Sequence, residues 1–403
     1  MPLVSSLSDD APGYNSEIRS NSEQQSTGPL CWKCHGRGTQ KTKTSEISCK
    51  VCKGLKRLGV KKDLVEGREQ EGEITKVTVP ADWIHYDASS SPVEIELNNG
   101  EQLCGLIAGY RIIQHKGGHR WTTDDICTAW VAMKSVTSLA PILQKSGDNT
   151  MNYTPLRYLD LGCGNGSVLL MVSVHLPIET TCIGIEARSE AVNLARRSIL
   201  YNCGPNSERI TIRNADFRSV INYKDNDLLP EGPTFDLVTG TPPYFRVNFH
   251  VDPETKLVGK ALIQQGGFPT CKESAPARCE FRGGIEAYLE AAATVLSPRG
   301  IFVVCENWLN HDRVLQSAND TGLFICSIQR VIGKEGKTPL FCVYTLIRNN
   351  VAGELVSEFF DEQSITKPDL IVRDSDGAWT TTYADMLREM KYPVASLHPS
   401  GKY

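Results

Sequence analysis

Short motifs of glycine, acidic and aromatic residues recur at the ends of predicted strands. The first motif begins at Asp160, directly after a predicted strand and before a predicted helix. Its glycines, Gly162, Gly164 and Gly166, let the backbone turn sharply and approach a ligand closely. Glu186 ends the next predicted strand, where a carboxylate can accept two hydrogen bonds from ribose hydroxyls. The two motifs together indicate a ligand that contains ribose.

Two further motifs follow the third and fourth predicted strands. Asp216 and Phe217 combine an acid with an aromatic ring, which suits the amino group and the ring of adenine. The fourth strand ends in the tetrapeptide Thr241-Pro242-Pro243-Tyr244. Each motif alone is as well explained by a tight turn or a solvated acid. All four follow consecutive strands, however, and the carboxyl ends of such strands are where an α/β sheet binds ligands.

The elements that must position these motifs alternate between strand and helix patterns. Seven strands are predicted, with helices between the first five, as at Ser189–Asn202. The last two strands are joined by a turn too short for a crossover helix, so they are expected to pair antiparallel. The pattern predicts an α/β fold with a doubly wound, mostly parallel sheet of seven strands and an antiparallel terminal hairpin. The predicted strands are Tyr158–Leu161, Thr181–Ile185, Arg209–Arg213, Phe235–Thr239, Ile301–Cys305, Cys326–Val331 and Leu340–Ile347.

A shorter pattern precedes the sheet. The segment Val93–Leu97 alternates in polarity, and an Asn-Asn-Gly turn follows it. Leu103–Ile113 is therefore predicted to return as the second strand of a hairpin. A helix is predicted from Asp124 to about Leu139, capped by Thr122 or Thr123.

The ordered motifs resemble those of class I S-adenosylmethionine-dependent methyltransferases, which implies a Rossmann-like methyltransferase sheet and S-adenosyl-L-methionine as the cofactor. By this resemblance the loop from Asp160 to Gly166 holds the cofactor and Glu186 binds its ribose. Asp216 and Phe217 then form the adenine site, and Thr241 adds a cofactor contact. A dinucleotide-binding domain would also have an acid after its second strand, but would not explain the Pro-Pro-Tyr sequence after the fourth.

The tetrapeptide resembles the Asn/Asp-Pro-Pro-Tyr motif of methyltransferases that act on planar nitrogens: adenine N6, cytosine N4 or glutamine N5. Such an amine is a poor nucleophile, because its lone pair is delocalised. The resemblance implies that the first motif residue and a proline carbonyl accept the two N–H protons, while Tyr244 stacks on the base. Thr241 departs from the motif, since a hydroxyl accepts less well than an amide or acid and also donates. Catalytic roles are thus expected for Thr241, Pro242, Pro243 and Tyr244.

Features outside these motifs resemble bacterial tRNA (adenine-N6)-methyltransferases that modify valine tRNA. They include Arg120–Asp124 at the head of the predicted helix and the tail Leu370–Tyr383. The resemblance implies adenine N6 of a structured RNA as the substrate, with tRNA as the leading case. Phe245, Arg246 and Arg278 would then line an entrance for base and phosphate, although solvated arginines explain them equally well.

Two other functions remain open from the sequence. A glutamine-N5 protein methyltransferase uses the same tetrapeptide, and binding of peptide or of RNA would distinguish the two enzymes. A cofactor-binding RNA scaffold whose motif has decayed at Thr241 would bind the cofactor tightly without turnover.

Two Cys-x-x-Cys knuckles lie near the start of the chain, fourteen residues apart. Four thiolates at this spacing can close a tetrahedral zinc site, which has no open position for catalysis. The first knuckle resembles the repeat of DnaJ-type zinc domains, and the second matches it in part. Lysines and arginines around the knuckles suit phosphate contacts. The predicted zinc ligands are Cys31, Cys34, Cys49 and Cys52.

Composition limits the class of protein. The chain has 403 residues and a formal net charge of -4, which argues against a globally basic nucleic-acid binder but allows a local basic patch. No apolar run is long enough to span a membrane, so no membrane partner is expected. The start lacks a secretory signal and most cysteines stand singly, which predicts an intracellular protein of the cytoplasm, with the nucleus as the alternative.

The predicted organisation is a disordered leader (1–29), a basic zinc knuckle (30–62), an acidic linker (63–92), a hairpin and helix (93–150), the methyltransferase core (151–350) and a C-terminal extension (351–403).

Overall fold

The structure is a computed structural model in which the chain divides into two compact units, Met1–Glu69 and Gln70–Tyr403. In the first unit, strands β1 (Thr39–Lys41) and β2 (Glu46–Ser48) pair antiparallel. The described residues are 39–41, 46–48, 75–78, 94–143, 156–221, 228, 229, 232, 234–246, 275–352 and 365–393. The cysteines of the predicted zinc site, Cys31, Cys34, Cys49 and Cys52, lie outside these residues, so the zinc site stays a prediction.

Two small antiparallel pairs begin the described part of the second unit. β3 (Thr75–Thr78) pairs with β4 (Glu94–Leu97), and β5 (Glu101–Gly105) pairs with β6 (Arg111–His115). The sequence predicted that Val93–Leu97 and Leu103–Ile113 would pair as a hairpin across the Asn-Asn-Gly turn, and this prediction is wrong. The segment predicted as its second strand instead folds back on itself, through a turn in which Ala108 has a φ of 51°.

The main sheet has eight strands among the described residues. Their order is β14-β12-β13-β11-β10-β7-β8-β9, and the order reverses direction between β7 and β10. β13 runs antiparallel to both β11 and β12, as predicted for the terminal hairpin, and the other pairs are parallel. The strands are β7 (Arg157–Leu161), β8 (Thr181–Glu186), β9 (Ile210–Asn214), β10 (Phe235–Gly240), β11 (Leu296–Asn307), β12 (Leu323–Ile332), β13 (Phe341–Arg348) and β14 (Leu370–Ile371).

The prediction of seven strands is corrected by β14, which comes from the C-terminal extension. Leu370 and Ile371 pair in parallel with Val331 and Ile332 at the end of β12. A strand of two residues is too short to show the alternation by which strands are recognised in a sequence.

Helices cover both faces of the sheet, which is the doubly wound arrangement that the strand and helix alternation predicts. One core contains side chains of α1, α2, α3 and α7, and the other those of α5 and α6. Neighbouring residues of β11 point to opposite cores, with Val303 in the first and Val304 in the second. The helices are α1 (Thr123–Leu143), α2 (Ser167–Ser173), α3 (Ser189–Cys203), α4 (Ala275–Arg278), α5 (Ile285–Val295), α6 (His311–Asp320) and α7 (Thr381–Glu389).

The predicted helix between β9 and β10 is replaced, within the described residues, by the 3-10 turn Phe217–Val220. In the part of the chain that the structure covers, every helix is too short or too polar to cross a bilayer.

The reversal of strand order brings the two predicted motif loops together. Gly240, the last residue of β10, pairs with Leu161, the last residue of β7. The glycine loop and the tetrapeptide that follow these strands therefore leave the sheet side by side, at the position where doubly wound sheets bind ligands.

Candidate active site

The glycine loop after β7 lies against Tyr288 of α5. Gly162 has a φ of 63°, and a Cβ placed there would stand 2.3 Å from the Tyr288 hydroxyl oxygen. A Cβ at Gly240 would stand 2.6 Å from a carbon of the same ring. Tyr288 is 4% exposed, and its ring centroid lies 4.3 Å from that of Phe217. A side chain at Gly162, just after β7, or at Gly240, the end of β10, would collide with the Tyr288 ring. Glycine at both positions therefore leaves room for this tyrosine to line the cleft.

Glu186 is a buried carboxylate that braces the glycine loop. Its Oε2 accepts a hydrogen bond from the backbone N–H of Gly164 at 2.9 Å. Its Oε1 accepts from the backbone N–H and the Nε of Arg188, at 2.8 and 2.9 Å. Oε2 also accepts from Nη2 of Arg188 at 3.4 Å. A carboxylate has about four acceptor sites, so ribose hydroxyls bound here would replace the contacts of the Arg188 guanidinium, while the contact with Gly164 is kept.

Asp216 caps the 3-10 turn that carries Phe217. Its carboxylate accepts from the backbone N–H of Arg218 at 3.0 Å and from the Arg218 guanidinium at 2.6 Å. Partial burial alone would raise the pKa of Asp216, but the hydrogen bonds from Arg218 outweigh it and lower the pKa. The carboxylate is therefore ionised and available as an acceptor at neutral pH.

Asp160, the first residue of the glycine motif, lies beneath the cleft. It is 1% exposed, and its Oδ1 accepts from the Thr239 hydroxyl at 2.7 Å. Burial raises the pKa of Asp160 to about 7, against the effect of that hydrogen bond. Its observed role is to tie the ends of β7 and β10 together.

Two acids at the head of α1 reach toward the same edge of the sheet. Asp125 accepts from the backbone N–H of Thr122 at 2.7 Å, which closes the first turn of the helix, and from Ser167 Oγ of α2 at 2.8 Å. Burial and the neighbouring charge of Asp124 raise the pKa of Asp125 to about 7. Asp124 accepts from the hydroxyl of Tyr244 at 2.9 Å. The first turn of α1 therefore contacts both α2, the helix after the glycine loop, and the tetrapeptide.

The tetrapeptide begins in the cleft and ends beside α1. Thr241 and Pro243 line the same cleft as Gly164 and Glu186, and Pro242 is buried between them. Tyr244 is partly buried.

A hydrogen-bond chain lies beside the end of the tetrapeptide. The Nδ2 of Asn310 donates to the backbone oxygen of Tyr244 at 3.2 Å and to Oε1 of Glu306 at 2.9 Å. Glu306 is 0% exposed, and its other oxygen has no hydrogen-bond partner in the described part of the chain. Burial raises the pKa of Glu306 to about 8, so the carboxyl keeps its proton at neutral pH.

Phe245 and Arg278, two of the three residues predicted to line a substrate entrance, are joined by a backbone hydrogen bond. The N–H of Phe245 donates to the carbonyl of Arg278 at 3.0 Å, which joins the tetrapeptide segment to α4. The Arg278 side chain is exposed, and Nη2 of Arg246 forms an ion pair with Oε1 of Glu286 in α5 at 3.3 Å. These three residues do not line the cleft of Glu186 in the described structure but stand beside it.

Comparisons with known proteins find similarity to methyltransferases. No family model matches the chain. A protein of Shewanella frigidimarina (strain NCIMB 400) named tRNA1(Val) (adenine(37)-N6)-methyltransferase is 23% identical over 240 residues, which cover 57% of this chain and 82% of that protein. A protein of the same name from Tolumonas auensis is 25% identical over 203 residues, or 49% and 72% of the two chains. A crystal structure of a predicted O-methyltransferase from Agrobacterium tumefaciens has a TM-score of 0.41 and 16% identity, covering 67% of this chain and 97% of that one.

The chain is an S-adenosylmethionine-dependent methyltransferase. The residues of the methyltransferase fit the cofactor on structural grounds. The floor of the cleft excludes side chains at Gly162 and Gly240, a buried carboxylate stands at Glu186, and Phe217 supplies an aromatic ring. Within the described residues, no group of three or more His, Cys, Asp or Glu side chains could hold a metal ion.

The methyltransferase cleft also contains residues that the sequence motifs do not reveal. Tyr288 lies within an ordinary amphipathic helix, so its sequence gives no sign of this position. Arg188 also lines the cleft, and the only signal in the sequence is its position two residues after Glu186. His119 lines the cleft as well. Burial, together with the charges of Arg188 and Arg278, lowers the pKa of His119 to about 4, so this imidazole is neutral at pH 7.

Proposed function

We propose that this methyltransferase transfers a methyl group to the N6 amine of an adenine in structured RNA, with tRNA as the leading candidate. The observation that carries the proposal is the position of the tetrapeptide. Thr241 and Pro243 line the same cleft as Gly164 and Glu186, so an amine held by the tetrapeptide would meet a cofactor held by the glycine loop. The names of the two relatives, both tRNA adenine-N6 methyltransferases, support adenine in RNA as the substrate class.

The tetrapeptide would orient the amine through two acceptors. The Pro242 carbonyl would accept a hydrogen bond from one N–H and the Thr241 hydroxyl would accept one from the other, which localises the lone pair on nitrogen and directs it toward the cofactor. S-adenosylmethionine, when bound, supplies an electrophilic methyl group on a sulfonium centre. A threonine hydroxyl is shorter than the amide of the related motif, so the second hydrogen bond is expected to be the weaker one.

Tyr244 would supply the stacking surface for the base. Its hydroxyl donates to Asp124 at 2.9 Å and lies 3.3 Å from the Cys305 sulfur, so the ring is held at its far end. Its backbone is held by Asn310. A ring whose position is set in advance loses little freedom when a base stacks on it.

The basic residues beside the cleft would contact the RNA backbone. Arg278 and Arg282 are both exposed, and Arg282 lines the cleft itself. Arginine forks bind phosphate oxygens in pairs. Phe245, which precedes Arg246 at the same place, adds an apolar surface beside these charges.

The N-terminal zinc site is a separate part of the proposal. Cys31, Cys34, Cys49 and Cys52 would hold one structural zinc ion, and the basic residues around it would add affinity for RNA. Metal analysis of the full chain purified without chelator should find one zinc per chain, reduced in Cys34→Ser. Absence of zinc from the wild-type chain would contradict this part alone.

Mass spectrometry of nucleosides from cells that lack the protein tests the proposed substrate. The expected result is loss of N6-methyladenosine from one RNA, restored by the wild-type gene and not by Tyr244→Ala. Unchanged RNA together with loss of a methylated glutamine in a protein would favour the glutamine-N5 reaction and overturn the proposal.

A further inference from the structure

A second cavity lies on the far side of the head of α1 from the cofactor cleft. It has a volume of about 370 Å³ and is formed by the start of α1, the β12–β13 turn and the C-terminal extension. Five of its lining residues have aromatic side chains, and they belong to three different parts of the chain. They are Trp121, Phe341, Trp379, Tyr383 and Tyr392.

The cavity lies at the same edge of the sheet as the catalytic tetrapeptide. Phe341, which lines the cavity, pairs with Asn307 at the carboxyl end of β11, the strand next to β10. Thr122 lines the cavity while its backbone N–H donates to Asp125 of the cofactor cleft. The loops proposed to bind the cofactor follow β7, β8 and β9, on one side of β10. The strands that contribute to the cavity, β12 and β13, lie on the other side of β10, where we place the substrate.

The side chains of the cavity suit a flat aromatic ligand that carries negative charge. Trp379 meets Tyr383 edge to face at a centroid distance of 5.7 Å, and Trp121 meets Tyr392 at 6.2 Å. Trp121, Trp379 and Tyr392 are each partly exposed, so their rings are accessible from the cavity.

The charge of the cavity is positive. Of the described residues that line it, Arg373 alone is charged. Gly333 of the β12–β13 turn also lines the cavity, and the exposed residues Lys334, Glu335 and Lys337 follow it, so the charged side chains of this turn still sum to a positive charge. An aromatic surface next to cations is the arrangement by which proteins hold an unpaired nucleotide, with the base on a ring and the phosphate on a basic side chain.

We propose that this cavity binds a second, unpaired nucleobase of the substrate RNA, stacked on Trp379, while the target adenine enters the catalytic cleft. The inference rests on the proposed function and adds to it a determinant of substrate choice. An RNA would be selected by a single-stranded base at the right distance from the target adenine, in addition to the adenine itself.

Fluorescence of a short RNA tests the proposal without turnover. The probe is a uridine pentamer with 2-aminopurine at the central position, whose emission falls when it stacks on an aromatic ring. The wild-type chain should quench the probe. Trp379→Ala should raise the dissociation constant at least about fivefold, since a base–aromatic stack typically contributes that much or more. Trp379→Phe, which keeps an aromatic face, should restore most of the affinity.

The matched control is Trp130→Ala. Trp130 is also a partly exposed tryptophan beside the C-terminal extension, where its indole donates to Glu389 at 2.7 Å, but it does not line the cavity. Its replacement should leave the dissociation constant unchanged, with melting curves confirming that each variant is folded. If Trp379→Ala and the wild type bind the 2-aminopurine pentamer with equal affinity, the inference is wrong, and a peptide segment becomes the better candidate ligand of the cavity. N6-methyladenosine formation without dependence on Trp379 would remove the inference alone, whereas its absence from every RNA would remove the proposed function.

Discussion

The hydroxyl of Tyr244 donates a hydrogen bond to Asp124 at 2.9 Å, although the two residues are 120 positions apart. Asp124 stands in the first turn of α1, and the next residue, Asp125, holds Ser167 at the head of α2. One turn of helix therefore connects the tetrapeptide with the helix that follows the glycine loop. Movement of α1 would change the position of Tyr244 relative to that loop.

Tyr244→Phe tests this connection. The variant keeps the aromatic ring but leaves the partly buried carboxyl of Asp124 without this donor. We expect the free energy of unfolding to fall by about 1–3 kcal/mol and cofactor affinity to change little. Urea denaturation measures the first effect and calorimetry the second. Asp124→Asn is the matched variant, because it keeps an acceptor oxygen and should destabilise less. A Tyr244→Phe variant as stable as wild type would show that the hydrogen bond is unimportant.

Glu186→Ala should weaken binding of S-adenosylmethionine by about 2–4 kcal/mol, because charge-assisted hydrogen bonds to the ribose are lost. The substitution also removes the acceptor of the Gly164 N–H, which loosens the loop itself. Titration calorimetry provides the measurement. Glu190→Ala is the control, since Glu190 is an exposed acid in the first turn of α3 that pairs with His115. Similar affinity in Glu186→Ala and Glu190→Ala would move the ribose site elsewhere.

Gly162→Ala should destabilise the protein more than Gly164→Ala. Both glycines have positive φ, 63° and 58°, so alanine is strained at either position. The Cβ at 162 would in addition stand 2.3 Å from the Tyr288 hydroxyl, whereas a Cβ at 164 would stand 3.8 Å from Nη2 of Arg188, at ordinary contact distance. The difference in melting temperature between the two variants should shrink when Tyr288→Phe is added to both. An unchanged difference would mean that the hydroxyl is not the cause.

The buried carboxyl of Glu306 should make stability depend on pH. Its pKa is raised from 4.5 to about 8 in the folded protein, mainly by burial. Across that interval the folded state holds a proton that the unfolded state has lost, so the free energy of unfolding falls as the pH rises. Asp125 and Asp160, whose pKa values burial raises to about 7, act in the same direction.

Glu306→Gln should therefore flatten the dependence of melting temperature on pH between about pH 5 and pH 8. The glutamine keeps an acceptor for Asn310 and cannot ionise. Glu290→Gln, at an exposed position of α5, is the control and should follow the wild-type curve. A Glu306→Gln curve as steep as that of the wild type would assign the pH dependence to other groups.

The strand ends were the part of the fold that the sequence could predict. Buried parallel strands are nearly continuous apolar runs, and the motif residues follow them directly, so Gly162, Glu186 and Thr241 could be assigned to one edge of a sheet. The structure brings these three residues to one cleft. The antiparallel pairing of β12 and β13 followed from the length of their turn alone.

The remaining features depend on contacts between residues far apart in the chain. Tyr288 forms the floor of the cleft only because α5 crosses the ends of β7 and β10, and its own helix gives no sign of that role. The β5–β6 hairpin was missed because apolar residues continue through its turn, at Leu106 and Ile107. The capping acids of α1 were visible as favourable charges at a helix start, but their contacts with Tyr244 and Ser167 were not.

Methyl transfer into RNA is the measurement that tests the central claim most directly. The purified full chain is incubated with S-adenosylmethionine that carries a deuterated methyl group and with tRNA from cells lacking the protein, and the nucleosides are then analysed by mass spectrometry. We predict labelled N6-methyladenosine with wild type, much less with Tyr244→Ala, and faster formation with Thr241→Asn. The gain has an upper limit of about 100- to 1000-fold, the usual effect of one well-placed hydrogen-bond partner in such a site. Cofactor binding without labelled N6-methyladenosine, in both wild type and Thr241→Asn, would contradict the account.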